Sequence, residues 1–436
     1  VEPIADVLLF SLAADTRALA VDLMRIMWAG LGFVVMAAWC LGVLNAHRRF
    51  FLSYVSPVLW NAAQVGLAGW AWLRDWSSED IARNAAWGVL LGGLLQFLVQ
   101  LPVVLRVAPT LRLGLGRGSA PVRAVRRRFG AALIGRGIVQ LSAFLDLILA
   151  TALVAGALAA LTAAQVLYLL PIGIFAMSIA AADLPELARE QGSDPRLAAR
   201  LRAGLERTTF FVLFSAVAFV AAGHVLVGAL YERGDFGGDD TTLVWLVLAA
   251  YSLGLLPSGT SRVYQTACYA AGDVKGPMRI SLARVLVAAV IGSLLMLQAD
   301  RFVVAGGQVD RQGDLPAFTL LPDDVRADET TTHLGAVGLA LGSAVGAWLE
   351  YGLLQRRVRT QLRRMRPLGS PGRRLLPAAL VAAAIGGGLT WITTSLPPLA
   401  TAPFVLGISG FVYVVLGHYA GAPSAARLLR TARLIR

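Results

Sequence analysis

The chain has 436 residues, of which 57 % are hydrophobic and 15 % charged, and its net charge is +13. A soluble chain of this length needs far more charge on its surface, so the composition excludes an ordinary globular protein. The positive charge does not point to nucleic acid, because the arginines sit in short stretches between apolar blocks rather than along one basic face.

The apolar blocks are about 20 residues long, the length a helix needs to cross the hydrocarbon core. Lipid offers no partner to exposed backbone groups, and the blocks lack the two-residue alternation of a membrane barrel, so they are predicted to be helices. The expected fold class is an all-α polytopic membrane protein of about eleven transmembrane helices. In chain order the predicted spans are Ala20–Leu44, Phe51–Leu73, Ala86–Leu105, Gly130–Ala155, Thr162–Leu184, Thr209–Tyr231, Leu243–Ala270, Ile280–Gln298, Leu334–Leu354, Leu376–Leu396 and Pro403–Tyr419. Pro57, Pro171 and Pro257 fall inside or near the ends of spans and predict kinks, since neighbouring helices can satisfy the carbonyls they free. Gly92-Gly93 and Gly386-Gly387-Gly388 allow close helix packing. Cys40 and Cys268 lie in apolar segments and read as small core residues, not as a disulfide or metal framework.

The connecting segments alternate in charge. One set carries Arg48 and Arg49, Arg112 to Arg128, Arg189 to Arg207, Lys275, Arg356 to Arg374, and the tail with Arg427, Arg430, Arg433 and Arg436. The other carries Asp75, Glu79 and Asp80, then Glu232, Asp235, Asp239 and Asp240, then the acidic segment Asp300 to Glu329. The basic side is expected to be cytoplasmic, which places Val1 outside. Ala299–His333 is long, acidic and contains Gly and Pro, and is predicted to be a flexible external insertion. Arg356–Arg374 breaks at Pro367, Gly369 and Pro371-Gly372 and is predicted to be a cytoplasmic linker before the last two spans. The basic stretches read as topogenic signals and contacts for lipid headgroups.

Enzyme chemistry has no foothold in this pattern. His47, His224, His333 and His418 are scattered, no phosphate-cradling loop is present, and no zinc-ligand spacing occurs.

Three stretches resemble one family. Gly42-Val43-Leu44-Asn45-Ala46-His47-Arg48-Arg49-Phe50, followed by Pro57-Val58-Leu59-Trp60-Asn61, is similar to the junction of the fourth and fifth helices of MurJ (MviN) lipid II flippases. Leu230-Tyr231-Glu232-Arg233-Gly234-Asp235-Phe236 resembles their external loop after helix nine. Tyr269-Ala270-Ala271-Gly272-Asp273-Val274-Lys275-Gly276-Pro277 resembles their cytoplasmic turn after helix ten.

The resemblance implies the two-lobe transporter fold of the multidrug/oligosaccharidyl-lipid/polysaccharide superfamily, with the spans above as helices four to fourteen. Helices one, two and most of three are then absent from the chain. Residues 1–129 would be the rest of the N-terminal lobe, 130–357 the C-terminal lobe with the insertion 299–333, and 358–436 a C-terminal helix pair with a basic tail. The implied function is flipping of lipid-linked peptidoglycan precursor by alternating access in the cytoplasmic membrane, driven by membrane potential or an ion gradient. The implied partners are a lipid-linked oligosaccharide, membrane lipids and cell-wall synthesis proteins. The chain departs from the family in helix eight. Counting back from Pro171, the family's Asp and Arg positions fall on Gln165 and Val166. Another residue substitutes, or the substrate differs, or transport is lost. The alternatives are therefore a drug or polysaccharide exporter of the same fold, and a non-transporting scaffold for cell-wall synthesis.

Ionisable groups at membrane depth are costly and face a cavity or a partner. Arg262 is the first candidate, about nine residues or roughly 14 Å from the end of its span. Ser258, Arg262, Gln265 and Tyr269 recur at helical spacing and form one polar face. The family also tends to have a basic residue there, which implies a phosphate or pyrophosphate contact. Arg136 and Gln140 share a face at i, i+4, and Arg136 lies shallow enough to reach the interface. Ser142 and Asp146 share another. The resemblance implies a sodium site on helix seven with Asp146 as a ligand, but Ile280–Gln298 offers no Asp or Asn to complete an oxygen cage, and an arginine partner is the other reading. Arg284 and Glu350 either pair or reach toward the interface separately. Asn61, Gln64, Gln96 and Gln100 line the other lobe or act as polar glue between helices.

Overall fold

The computed structural model describes residues 14–47, 49–109, 145–179, 195–271, 273, 275–326, 328, 331–361, 371–393 and 396–432. It is all-α apart from one small sheet. Two compact units divide the chain, residues 1–127 and 128–436. Among the described residues eight helices are long and apolar enough to cross a bilayer, or nine if the bent pair Gly238–Ser252 and Leu255–Tyr269 makes one span.

The first unit contains α1 (Ala14–Ala46), α2 (Phe50–Trp72) and α3 (Ser78–Val107). Ser77 caps α3 by accepting from the Asp80 amide at 3.2 Å, and Glu79 and Asp80 put negative charge on its first turn. The middle of α3 carries Gly88, Gly92 and Gly93 against the other two helices. A Cβ on Gly92 would lie 2.7 Å from the Trp60 carbonyl, and one on Gly93 2.7 Å from the Gly30 carbonyl. Small residues let the backbones approach this closely, which is how helices gain contact in lipid. Gln100 is fully buried and donates to Ser56 at 2.8 Å.

In the second unit the predicted span Gly130–Ala155 lies outside the described residues as far as 144. Residues 145–150 are helical and 151–156 turn. There follow α4 (Ala157–Pro171), continued by one π-helical segment (Ile172–Met177), then α5 (Pro195–Tyr231), α6 (Gly238–Ser252), α7 (Leu255–Ala270) and α8 (Lys275–Ala299). After the insertion come α10 (Gly335–Gln361), α11 (Pro371–Ile392), α12 (Pro398–Tyr419) and the short basic α13 (Pro423–Thr431). The α11–α12 pair packs on α5 through Phe210, Leu213, Ala379, Ala382 and Tyr413, and the Tyr413 hydroxyl donates to the Phe210 carbonyl at 2.8 Å. The free cysteines Cys40 and Cys268 are both buried, as expected of small core residues.

Leu243–Ala270, predicted as one kinked span, is two helices meeting at 42°. The break falls at Leu253-Gly254, ahead of Pro257. Proline has no N–H for the carbonyl four residues back, which is that of Leu253. That carbonyl instead accepts from the Trp348 indole N–H at 3.0 Å. Gly254 lets α10 close over the break, since a Cβ there would sit 2.7 Å from the Ala344 Cα. Pro171 acts in the same way, and the helix widens into the π segment directly after it.

The insertion predicted as flexible is folded. β1 (Phe302–Ala305) and β2 (Gln308–Arg311) form a hairpin, and β3 (Thr332–His333) pairs with the other edge of β1. Between β2 and β3 lies a single helical turn, α9 (Asp323–Arg326). Gly306 and Gly307 take φ of 60° and 76° in a two-residue turn that matches strand twist. Their amides donate to the Asp239 carboxylate at the start of α6, at 3.1 and 2.8 Å. Buried Val303 and Val304 and these clamps supply what a flexible loop lacks.

At the base of the insertion Asp300 is buried, and neither carboxylate oxygen accepts a hydrogen bond among the described residues. Burial pushes its carboxyl up to about 6, opposed in part by His333, Arg301 and Arg326. A folded value above the usual 3.8 means that the folded state holds more protons between those limits. Stability should therefore fall as pH rises from about 4 to about 6, by at most roughly 3 kcal/mol. Thermal unfolding in detergent across this range should show that slope in the parent and a flatter one in Asp300→Asn.

Among the described residues α8 and α10 make the tightest helix contact. Cβ atoms on Gly338 and Gly342 would meet the backbone of Leu295 and Gly292, and one on Gly346 would lie 3.0 Å from the Arg284 carbonyl. Gly342→Leu should destabilise the protein by about 1–3 kcal/mol or more through overpacking, read as a fall in Tm, whereas Gly352→Leu, at a position open to space, should not.

Candidate functional site

The second unit encloses a cavity of about 270 Å³. Its wall takes side chains from the 145–150 helix (Asp146), α4 (Gln165, Tyr168, Leu169), α6 (Tyr251), α7 (Ser258, Arg262), α8 (Ser281, Arg284, Val285) and α10 (Ser343, Glu350), with Ile172 from the π segment. The cavity thus collects polar side chains from six segments.

Glu350 is the centre of the network. It is fully buried. Arg284 Nη1 donates to its Oε2 at 2.7 Å, and Ser281 Oγ and Gln265 Nε2 donate to its Oε1 at 2.8 and 2.9 Å. Arg284 and Glu350 thus pair directly and do not reach toward the interface separately. The Arg284 Nε is buried without a hydrogen bond among the described residues. Arg262, half-buried, donates through Nη1 to Gln265 Oε1 at 3.2 Å. Its hydrogen-bonded partner is a neutral amide, and its side chain lines the cavity. Asp146 accepts from Ser343 Oγ at 2.9 Å rather than from Arg262.

An uncharged wall completes the site. The Tyr168 hydroxyl donates to Ser258 Oγ at 2.8 Å, and Gln165 Nε2 donates to the Tyr251 hydroxyl at 3.0 Å. The Tyr168 and Tyr251 rings stack with centroids 5.1 Å apart.

The structure brings together Arg262, Gln265, Asp146, Arg284 and Glu350. Asn61 belongs to the first unit, where it is exposed on α2. Arg136 and Gln140 lie outside the described residues. Tyr269, expected on the Arg262 face, is exposed and not part of the cavity wall, because it lies two turns further along α7, at the end of the helix. Gln165, at the position where the family resemblance expects Asp, does line the cavity, whereas Val166 beside it is exposed. Ser281, Ser343, Tyr168 and Tyr251 were not singled out by the sequence. Their signal is faint, since a lone hydroxyl inside an apolar span is common and cheap to satisfy against the helix's own carbonyls.

Asp146 and Ser343 are bonded to each other, and those two oxygens alone do not make the cage that a sodium ion takes. Among the described residues no group of three or more His, Cys, Asp or Glu could hold a metal ion.

Removing one partner of a buried ion pair leaves the other uncompensated. Arg284→Met and Glu350→Leu should each cost about 3–5 kcal/mol, and the double variant should recover most of the loss. A double-mutant cycle on thermal stability measures this, and additive losses would contradict a direct pair.

The pattern of the family described as lipid II flippase MurJ matches residues 1–309. A probable lipid II flippase MurJ of Rhizobium meliloti (strain 1021) is 28 % identical over 404 residues, covering 90 % of this chain and 68 % of the relative. One from Rhizobium tropici is 30 % identical over 284 residues, covering 65 % of this chain and 53 % of the relative. The lipid II flippase MurJ of Burkholderia cenocepacia is 28 % identical over 295 residues, covering 65 % of this chain and 54 % of the relative. The chain therefore spans about half to two thirds of the length of these relatives. A structure of lipid II flippase MurJ in an inward closed conformation superposes with a TM-score of 0.72 at 17 % identity, covering 98 % of this chain and 79 % of that one, and shares the fold. The chain is a multi-pass membrane protein that belongs to the lipid II flippase MurJ family.

Proposed function

We propose that the protein moves lipid II, the lipid-linked peptidoglycan precursor, across the cytoplasmic membrane by alternating access, and that the cavity of the second unit receives part of its anionic headgroup. The observation that carries this is Arg262, a guanidinium at membrane depth whose hydrogen-bonded partner is the neutral Gln265 amide. Glu350 pairs directly with Arg284, so among the described cavity residues Arg262 is the guanidinium whose hydrogen-bonded partner is neutral. A guanidinium presents a planar fork of donors that matches phosphate oxygens, which suits a pyrophosphate. Gln165, Tyr168, Tyr251 and Ser258 add uncharged donors, acceptors and ring faces of the kind that accept a sugar. The process is transport with no covalent step.

A second reading, a non-transporting scaffold for cell-wall synthesis proteins, draws on helix eight. There the cavity receives neutral Gln165, and Val166 is exposed. Transport of a drug or polysaccharide would use the same cavity with a different occupant.

In the full-length protein Arg262→Ala should fold and insert but bind lipid II at least tenfold more weakly, and Arg262→Lys should keep part of the affinity because it retains charge without the fork. Thermal stability measured beside lipid II affinity separates the two effects. Normal affinity in a well-folded Arg262→Ala protein would remove Arg262 from the site, and absence of any lipid II binding by the parent would favour the scaffold. The proposed orientation has its own check. Single cysteines placed in 299–333 should react with an impermeant thiol reagent in intact cells, and those placed in 362–370 should not.

A further inference from the structure

The insertion between α8 and α10 takes no part in the cavity. Three of its apolar side chains, Leu315, Phe318 and Leu320, are exposed, Phe318 to 70 %. Exposed apolar groups this close together in a folded segment mark a contact surface.

What they contact follows from where the segment is tied down. On α8 the exposed apolar side chains are Leu282, Leu286, Val290 and Leu294, a ridge at four-residue spacing along a membrane-spanning helix. The next position on that ridge is Gln298, in the last turn of the helix. Its side-chain amide holds Ala317 on both sides: Gln298 Nε2 donates to the Ala317 carbonyl, and the Ala317 amide donates to Gln298 Oε1 at 2.9 Å. Phe318 is the following residue, so this tie holds its backbone at the end of the α8 ridge. Arg301 then fixes the next peptide, donating to the Thr319 carbonyl at 3.0 Å and to Thr319 Oγ1 at 3.3 Å. A guanidinium therefore stands between Phe318 and Leu320 in the chain, at the end of a spanning helix. Aromatic and cationic side chains side by side at that level are the usual anchors of a membrane–water interface, the ring among acyl chains and the cation beside phosphates.

We propose that residues 315–320 form an interfacial anchor that seats Phe318 and Leu320 in the lipid leaflet opposite the basic loops. The occupant of this surface is lipid rather than a protein, because the segment continues the apolar ridge of α8 and is held at the position where that helix leaves the bilayer. The inference is independent of what the cavity transports.

The test is a spin label at Phe318→Cys in the full-length protein reconstituted in liposomes, with Cys40 and Cys268, both buried, replaced by alanine. Collision rates with oxygen, which concentrates in lipid, and with a nickel chelate, which stays in water, are compared with those of a label at Asp235→Cys in the exposed acidic loop. The expected result is a several-fold larger oxygen-to-chelate ratio at 318 than at 235. Equal ratios would overturn the proposal by placing Phe318 in water. Exclusion of both reagents at 318 would overturn it equally, by showing a protein partner on that surface.

Discussion

The polar interior of the second unit depends on one carboxylate. Glu350 comes from α10 and takes its donors from α7 and α8, so three helices share one buried charge. In lipid nothing drives such helices together by burial of apolar surface, and packing and internal hydrogen bonds must do it. A carboxylate with three donors meets that requirement, and a carboxylate missing one would be a severe defect. Glu350 pairs directly with Arg284, whereas Arg262 joins its hydrogen-bond network one step out, through the Gln265 amide.

Short distances across α8 and α10 in turn require small residues. Gly338, Gly342 and Gly346 recur every four positions along α10 and face α8, and the last of them lies against the backbone and stem of Arg284. A side chain at Gly346 would push α8 away at the level where Arg284 has to reach Glu350. Packing and electrostatics are therefore not separate contributions here, since the glycine ridge sets the distance at which the ion pair forms.

Much of this was legible in the sequence. Hydropathy located spans that the structure shows as helices among the described residues, because a bilayer imposes one length and one backbone solution. The charged members of the cavity, Asp146, Arg262, Arg284 and Glu350, stood out because ionisable groups in spans are rare. Three things were not legible. Which charge meets which depends on helix rotation and crossing, so Arg284 with Glu350 was one possibility among several, and Asp146 with Arg262 another. The hairpin of the insertion was hidden by its acidic composition, although Phe302-Val303-Val304-Ala305 followed by Gly306-Gly307 carries the turn signal. The break before Pro257 was read as a kink, because nothing local shows that Trp348, nearly a hundred residues later, will take up the Leu253 carbonyl.

That break and the π segment after Pro171 belong to one argument. Irregular backbone is tolerated at membrane depth only where other groups satisfy it or where it borders a water-filled space. Both irregularities border the same cavity, since Ile172 starts the π segment, Ser258 follows the break by a few residues, and both line the wall. Transporters commonly place their substrates at interrupted helices, whose freed backbone groups and adjustable angles serve binding and rocking. A merely structural cavity has no need of two interrupted helices, and regular ones would cost less. A guanidinium hydrogen-bonded to a neutral amide and two backbone interruptions thus meet at one wall, where the proposed transport would use the first to hold an anion and the second to change shape.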